Sequence, residues 1–263
     1  MLLQTLAYQK DAPGTTPVLA DPVTGDSLTL RAVSPGQKIF LVDWMLCSQG
    51  VAGEHRLIWT SAHDTSYGLA ALADTEPRRI RPISRHPATF ESAEVIKPYV
   101  SGSATAGEAA FGCLQMLYDQ VPGAEGQYMS PDELAGRGKQ PMDWIKSITH
   151  SAKLTWTDGG TLDSARDVWK RDKKYAWIGA KMGANIVALA IRGPDTGNVR
   201  VAVLPERNDR VKSLEYFIDL SQMLGRGLIP VIEGANVGAT SVEFLGLATS
   251  GSENIALYFV ELD

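Results

Sequence analysis

The chain has 263 residues, 44% of them hydrophobic, with 30 acidic and 25 basic side chains and a formal charge of −5. A chain of this size buries a sizeable core, as one large domain or two smaller ones, without disulfide or metal staples. Because its charge balance is mildly acidic, it lacks the broad cationic field that attracts a phosphate backbone, and we expect no sequence-specific nucleic-acid binding.

The beginning of the sequence has neither the basic region nor the apolar run of a signal peptide. The longest apolar stretch, near residues 186–191, is far too short to span a bilayer. We therefore expect a protein that is made in the cytoplasm and has no transmembrane segment. Cys47 and Cys113 lie in apolar surroundings and are expected to be buried, reduced thiols.

Turn-forming clusters of Gly, Pro, Asn and Asp divide the first half into short runs rich in β-branched and aromatic residues. Residues 38–47 are nearly all apolar, which is typical of a strand covered on both faces. The predicted strands of this half are residues 27–33, 38–47, 55–61, 67–73 and 90–99.

The composition changes after residue 100. Residues 101–107 are small and flexible and suggest a linker or long loop. Residues 108–121 carry apolar side chains at helical spacing, which predicts a helix, but Gly112 weakens it and leaves a strand as the alternative. Ser130 followed by Pro131 and two acids predicts a helix start, and residues 141–151 predict a second short helix.

The last ninety or so residues are the most regular part of the sequence. Short runs with alternating polarity are separated by turn signals, as in antiparallel sandwiches and barrels. The predicted strands are residues 175–178, 185–192, 198–204, 213–220, 228–233, 241–248 and 254–261.

The sequence therefore predicts a mainly β protein with an antiparallel, jelly-roll-like sandwich and a short, partly helical middle segment. We divide it into a β-rich segment over residues 1–100, a mixed linker or insertion over 101–170, and a β-sandwich segment over 171–263. One jelly roll with a large insertion and two separate sandwiches both fit this pattern.

Motifs for catalysis and cofactor binding are weak. Residues 136–141 only partly match a phosphate-binding loop, and no serine lies in a nucleophile elbow. We assign no catalytic residue and no cofactor. For a metal, His55, His63 and Asp64 are weak candidates that could meet across a hairpin, although polar residues at loop ends are the more common interpretation.

Tryptophans offer the other candidate site. Trp44 and Trp59 fall inside strand patterns and are expected in the core. Trp144, Trp156 and Trp169 cluster in the middle segment, where packing or a subunit contact is favoured over a sugar-stacking platform. We take these three as candidate interface residues.

The strand rhythm of residues 197–205, 216–221, 229–232 and 255–260 resembles that of jelly-roll capsid proteins of tailless icosahedral bacteriophages. The resemblance implies a coat subunit that forms homo-oligomers and a shell, together with other virion proteins, in a virion assembled in the host cytoplasm. It assigns no catalytic residue. We further expect residues 1–17 to form an arm that only a neighbouring copy or an inner layer would order.

The rival hypothesis is a β-sandwich module that binds a carbohydrate or small ligand, or a jelly-roll enzyme. That function would bring some of the candidate tryptophans, His55, His63 and Asp64 around one groove.

Overall fold

The computed structural model describes residues 1–61, 68–81, 88–164, 169–205 and 212–263. These residues form two compact units, the first made of Met1 and residues 3–123, the second of Leu2 and residues 124–263. Strands predominate in the described residues of both units, and each strand pair whose register is given is antiparallel. The mainly β, antiparallel fold predicted from the sequence is confirmed.

In the described residues of the first unit, strands are joined by turns and loops. Its strands are β1 (Leu2–Asp11), β2 (Val18–Leu19), β3 (Asp21–Pro22), β4 (Ile39–Ser48), β5 (Gly53–Ile58), β6 (Leu69–Ala73), β7 (Arg78–Ile80), β8 (Ala88–Phe90), β9 (Lys97–Val100) and β10 (Ala109–Tyr118).

Two sheets form within residues 1–61, 68–81 and 88–123, with strand orders β3-β1-β10-β4-β7 and β2-β9-β5-β6. Both β7 and β8 pair with β4, on successive parts of its length, so together they occupy one strand position. We number the strand positions 1 to 8 in chain order, leaving out the short β3. One sheet then has the order 1-8-3-6 and the other has the order 2-7-4-5. This is the winding of a jelly roll, in which two Greek keys close one sandwich.

The centre of the first sheet is built from β4 and β10, which pair along their whole length. Every residue of β10 is buried, and so is every residue of β4 except Phe40. Successive side chains of a strand point to opposite faces, so both faces of these strands are covered. The strand predicted at residues 38–47 is confirmed as β4.

The second unit contains strands and two α-helices, α1 (Pro131–Arg137) and α2 (Tyr216–Leu224), within the described residues. Its strands are β11 (Tyr128–Met129), β12 (Gly138–Thr149), β13 (Trp156–Thr161), β14 (Lys174–Lys181), β15 (Ile186–Arg192), β16 (Val201–Val203), β17 (Ile229–Glu233), β18 (Ser241–Gly246) and β19 (Ser252–Leu262).

The strand orders in residues 124–164, 169–205 and 212–263 are β11-β17-β14-β19-β12 and β13-β18-β15-β16. When β12 is counted as the first position, the sheets again read 1-8-3-6 and 2-7-4-5, with β11 as an added edge. The second unit therefore has the same jelly-roll winding as the first. Of the two arrangements that the sequence left open, the structure has the one with a sandwich in each unit.

The helices predicted over residues 108–121 and 141–151 are wrong, because both segments are strands, which at residues 108–121 is the alternative that the sequence left open. Residues 108–121 contain β10, whose unbroken run of apolar residues also satisfies helical spacing. Residues 141–151 lie mostly in β12, where Trp144 and Ile148 are buried. Side chains four residues apart share a face in a helix and in a strand alike, so this pair could not separate the two structures.

The opposite error occurs at residues 213–220, where a strand was predicted and α2 is found. The helix buries Tyr216, Phe217 and Leu220, at the i, i+1 and i+4 positions of one helical face. It ends at Gly225, whose left-handed backbone (φ 62°) permits the C-terminal cap. Its aromatic and β-branched composition resembled that of a strand.

The helix start predicted at Ser130 is confirmed as α1. The Ser130 side chain accepts a hydrogen bond from the Glu133 amide, and the Glu133 carboxylate accepts one from the Ser130 amide. These reciprocal bonds form a capping box. They lower the pKa of the exposed Glu133 carboxyl, because the bonds from Ser130 favour its charged form.

The structure divides the chain differently from the three predicted segments. The division falls at residues 123 and 124, inside the predicted linker or insertion over residues 101–170. That stretch supplies β10 to the first unit and β11, β12 and β13 to the second. Likewise, most of residues 1–17 is not a free arm, because β1 pairs with β10 inside a sheet.

No α-helix among the described residues is both long enough and apolar enough to cross a membrane.

Candidate functional site

His55 lies in the interior of the first unit, on β5, and is completely buried. Its Nδ1 is 2.9 Å from the Tyr8 hydroxyl on β1, and its Nε2 is 3.1 Å from Ser48 Oγ on β4. Since β5 belongs to one sheet and β1 and β4 to the other, the imidazole joins the two layers of the sandwich.

The hydrogen bonds of this network fit one consistent set of donors and acceptors. Trp44 Nε1 donates to the Tyr8 oxygen, which leaves the Tyr8 hydroxyl free to donate to His55 Nδ1. Ser48 Oγ donates to the carbonyl of Ser101, so it accepts from His55 Nε2. The arrangement holds a neutral imidazole, and burial lowers the pKa of His55 to about 3.

Of the weak metal candidates, His55 therefore uses both ring nitrogens for hydrogen bonds within the core. His63 and Asp64 lie outside the described residues. In the part of the chain that the structure describes, no group of three or more His, Cys, Asp or Glu side chains is arranged to hold a metal ion.

The candidate interface tryptophans all belong to the second unit and have different surroundings. Trp144 is buried, and its Nε1 donates to the Leu162 carbonyl at 2.7 Å. Trp169 is half-buried, and its Nε1 donates to the same carbonyl at 2.9 Å. Its ring makes edge contacts with Tyr175 and Phe259. Trp144 is thus part of the core, whereas Trp169 retains an exposed part.

Trp156 is half-buried on β13. The guanidinium of Arg200 lies 5.0 Å from its ring centroid and forms an ion pair with Glu243. A cation held against an aromatic face in this way fixes the position of the ring. A subunit contact through Trp156 or Trp169 remains a prediction.

The basic run at residues 170–174 is partly neutralised. Lys170 pairs with Glu261 at 3.1 Å and Lys174 with Glu233 at 2.9 Å. Arg171 instead lines a pocket of about 240 Å³, beside Asp163 and Trp169. Nothing in the sequence predicted this pocket, because its walls come from segments more than sixty residues apart.

Asp195 is a buried acid that the sequence analysis also missed. It accepts hydrogen bonds from Asn236 Nδ2, the Glu233 amide and Gln127 Nε2, at 2.9, 3.0 and 3.0 Å. Burial raises its pKa, although the bonds from Glu233 and Asn236 oppose that shift. These bonds tie three separate segments of the second unit together, which is a structural role.

The surface of the first unit carries most of the exposed large hydrophobic side chains. Val51 and Leu72 lie at the same end of the β5–β6 hairpin and are 51% and 73% exposed. Leu19 and Val95 are also exposed in this unit, whereas Ile145 is the one such residue among the described residues of the second unit.

No protein-family model matches the sequence, and no curated protein matches it significantly. Among solved structures, the chain is similar to the major capsid protein P2 from bacteriophage PM2, with 8% identity and a TM-score of 0.23, over 100% of this chain and 98% of that chain. It is also similar to a structure described as the triple jelly roll fold and turret assembly in an archaeal virus, with 7% identity and a TM-score of 0.23, over 99% of this chain and 79% of that one. These TM-scores are too low to assign a fold or a function, so the jelly-roll assignment rests on the strand order of this chain.

Proposed function

We propose that the chain is a self-assembling structural protein, the coat subunit of a viral shell. The observation that carries the proposal is the repetition of one winding, because each unit arranges its strand positions as 1-8-3-6 and 2-7-4-5. Jelly rolls of this kind are a common building block of viral capsids, besides lectins and cupins.

The repetition suits a shell for a geometric reason. A symmetric oligomer repeats the same contacts around its axis. If each subunit has two lobes of similar fold, a small oligomer presents twice as many similar lobes as it has chains, and a few kinds of contact are enough to extend a lattice. In this role the protein would bind copies of itself and other virion proteins, in a virion assembled in the host cytoplasm.

Exposed apolar side chains support self-association. Val51 and Leu72 present apolar surface that contact with another copy would remove from water. Leu72 lies on an edge strand, since β6 is the last strand of its sheet in the described part of the first unit, and Val51 lies in the turn just before β5. Uncovered strand edges favour association with other chains.

The test is the mass and shape of the intact protein. Light scattering after size-exclusion chromatography, followed by negative-stain imaging, should show defined oligomers or closed particles whose mass is a multiple of 28.4 kDa. A monomer that persists at high protein concentration and across salt conditions would contradict the proposal.

A further inference from the structure

Three of the described segments of the second unit line the pocket beside Trp169. Asp163 comes from the short 3-10 turn after β13, and Trp169 and Arg171 come from the approach to β14. The third wall is the 3-10 turn at Gly234–Ala239, which contributes Gly234, Ala235, Val237 and Gly238. All of these lining residues belong to one jelly roll.

Glycine allows these walls to lie close together. A Cβ atom at Gly238 would sit 3.0 Å from Asp163 Oδ2, closer than nearly all real contacts. A Cβ atom at Gly234 would collide with the carbonyl oxygen of Lys170. A side chain at position 234 would collide with backbone, and one at position 238 would displace the Asp163 carboxylate, so both glycines help to keep this polar cleft narrow.

The indole of Trp169 is held in place before any ligand arrives. Its Nε1 is committed to the Leu162 carbonyl, and its ring contacts Tyr175 and Phe259 edge to face, at centroid distances of 4.7 and 5.1 Å. A fixed aromatic wall costs little entropy when a ligand binds.

Two of the described lining residues carry opposite charges. Arg171 is exposed and makes no hydrogen bond or ion pair with any other described residue. Asp163 supplies a carboxylate, and its Oδ1 accepts a bond from Thr161 Oγ1 at 2.5 Å. One cation beside one anion favours a neutral ligand with several hydroxyl groups, which can donate to the carboxylate and accept from the guanidinium.

The size of the pocket narrows the ligand further. Its volume of about 240 Å³ lies below the range of roughly 300–1,000 Å³ that is usual for small-molecule sites, which favours a small ligand. A single six-membered sugar ring has an apolar face for the indole and hydroxyl groups around its edge. We propose that this pocket binds one neutral hexose unit of a glycan.

Saturation-transfer NMR on the intact protein, with glucose, galactose and mannose as separate probes, tests the proposal. At least one neutral hexose should give a saturable signal, with a dissociation constant in the millimolar range, as expected for a site that holds a single ring (~1 mM corresponds to about −4 kcal/mol). Arg171→Gln and Asp163→Asn should each reduce that signal at least about fivefold.

Arg137→Gln is the matched control, because Arg137 is an exposed arginine of the same unit that lies outside the pocket lining. It should bind as the unaltered protein does, and thermal unfolding should show that all three variants are folded. Three results would each overturn the proposal. These are no signal from any of the three hexoses, a signal from the two pocket variants equal to that of the unaltered protein, or binding of glucuronate or sulfate where the neutral sugars do not bind.

Discussion

A single imidazole connects the two sheets of the first unit, and its protonation state matters for that connection. His55 has an ordinary pKa of 6.5, and burial lowers its pKa to about 3 in the folded chain. The folded state therefore favours the neutral ring, and the stabilisation is complete above about pH 6.5. It is lost as the pH falls from 6.5 towards 3, because the unfolded chain takes up a proton that the folded chain refuses.

We expect His55→Gln to remove this dependence. In the unaltered protein, the His55 contribution to the unfolding free energy should fall by up to about 1.4 kcal/mol per pH unit between pH 6 and 4. Urea unfolding at several pH values, followed by tryptophan fluorescence, measures the slope. Tyr8→Phe is the control, since it deletes one bond to the ring but keeps the titrating group. Identical slopes in His55→Gln and the unaltered protein would contradict the assignment.

A buried ion pair in the same unit gives a second prediction at the residue scale. Arg79 Nε lies 2.9 Å from Asp43 Oδ2, and their side chains are 3% and 0% exposed. Arg79→Met leaves a buried carboxylate without its guanidinium and should cost about 3–5 kcal/mol of unfolding free energy. Arg79→Met combined with Asp43→Leu should recover most of that loss.

An exposed ion pair of the same unit supplies the comparison. Lys10 and Asp21 are 3.0 Å apart, with side chains 36% and 69% exposed. Lys10→Met should cost less than about 1 kcal/mol, because solvent screens an exposed pair. Equal losses at Lys10 and Arg79 would show that burial does not govern the strength of these pairs.

At the scale of elements, Gly112 lets the Tyr8 side chain pack directly against the backbone of β10. A Cβ atom there would sit 2.4 Å from the Tyr8 hydroxyl and 2.8 Å from the Met45 carbonyl. The glycine thus makes room for the tyrosine of the His55 network.

Gly112→Ala should destabilise the protein by about 1–3 kcal/mol, as overpacking in a core does. Gly136→Ala is the same chemical change in α1, where no atom lies within 4 Å of the added Cβ. There we expect a gain of about 0.5–1 kcal/mol from helix propensity. Chemical denaturation of both variants decides the matter: a neutral Gly112→Ala would mean that the Tyr8 ring is free to move aside.

Elements with local signals were predictable from the sequence, and those defined by tertiary covering were not. Ser130 and Glu133 predict the start of α1, because a capping box is formed by residues that are close in the sequence. By contrast, a helix was predicted where β10 is found, and a strand was predicted where α2 is found. A strand buried on both faces has no alternation, and an aromatic helix buried on one face shares the composition of a strand.

The same limit applies to the sites. Residue type alone was enough to select His55 and Trp169 as candidates. It did not predict that His55 would be fixed inside a sandwich or that Trp169 would line a cleft. Asp163 and Gly238 also line the pocket near Trp169, and the loops of a jelly roll bring these two residues close to each other. Only the strand order, which pairs distant segments, brings those loops together.

At the scale of the whole molecule, exposed apolar surface is unequally shared. In the described residues, four of the five exposed large hydrophobic side chains belong to the first unit. If the chain assembles, the hairpin end with Val51 and Leu72 is the surface that gains most from contact. We expect Val51→Lys with Leu72→Lys to reduce the mass of the assembly, with a change in unfolding free energy below about 0.5 kcal/mol, as is usual for surface substitutions.

Ile145→Lys is the matched control, because Ile145 is 52% exposed and is the one exposed large hydrophobic residue that the structure describes in the second unit. It should leave the assembly mass unchanged in light scattering at the same protein concentration. Loss of assembly in Ile145→Lys but not in the Val51 and Leu72 variant would place the contact on the second unit. A mass unaffected by either change would mean that neither apolar surface holds the subunits together, and that polar contacts do.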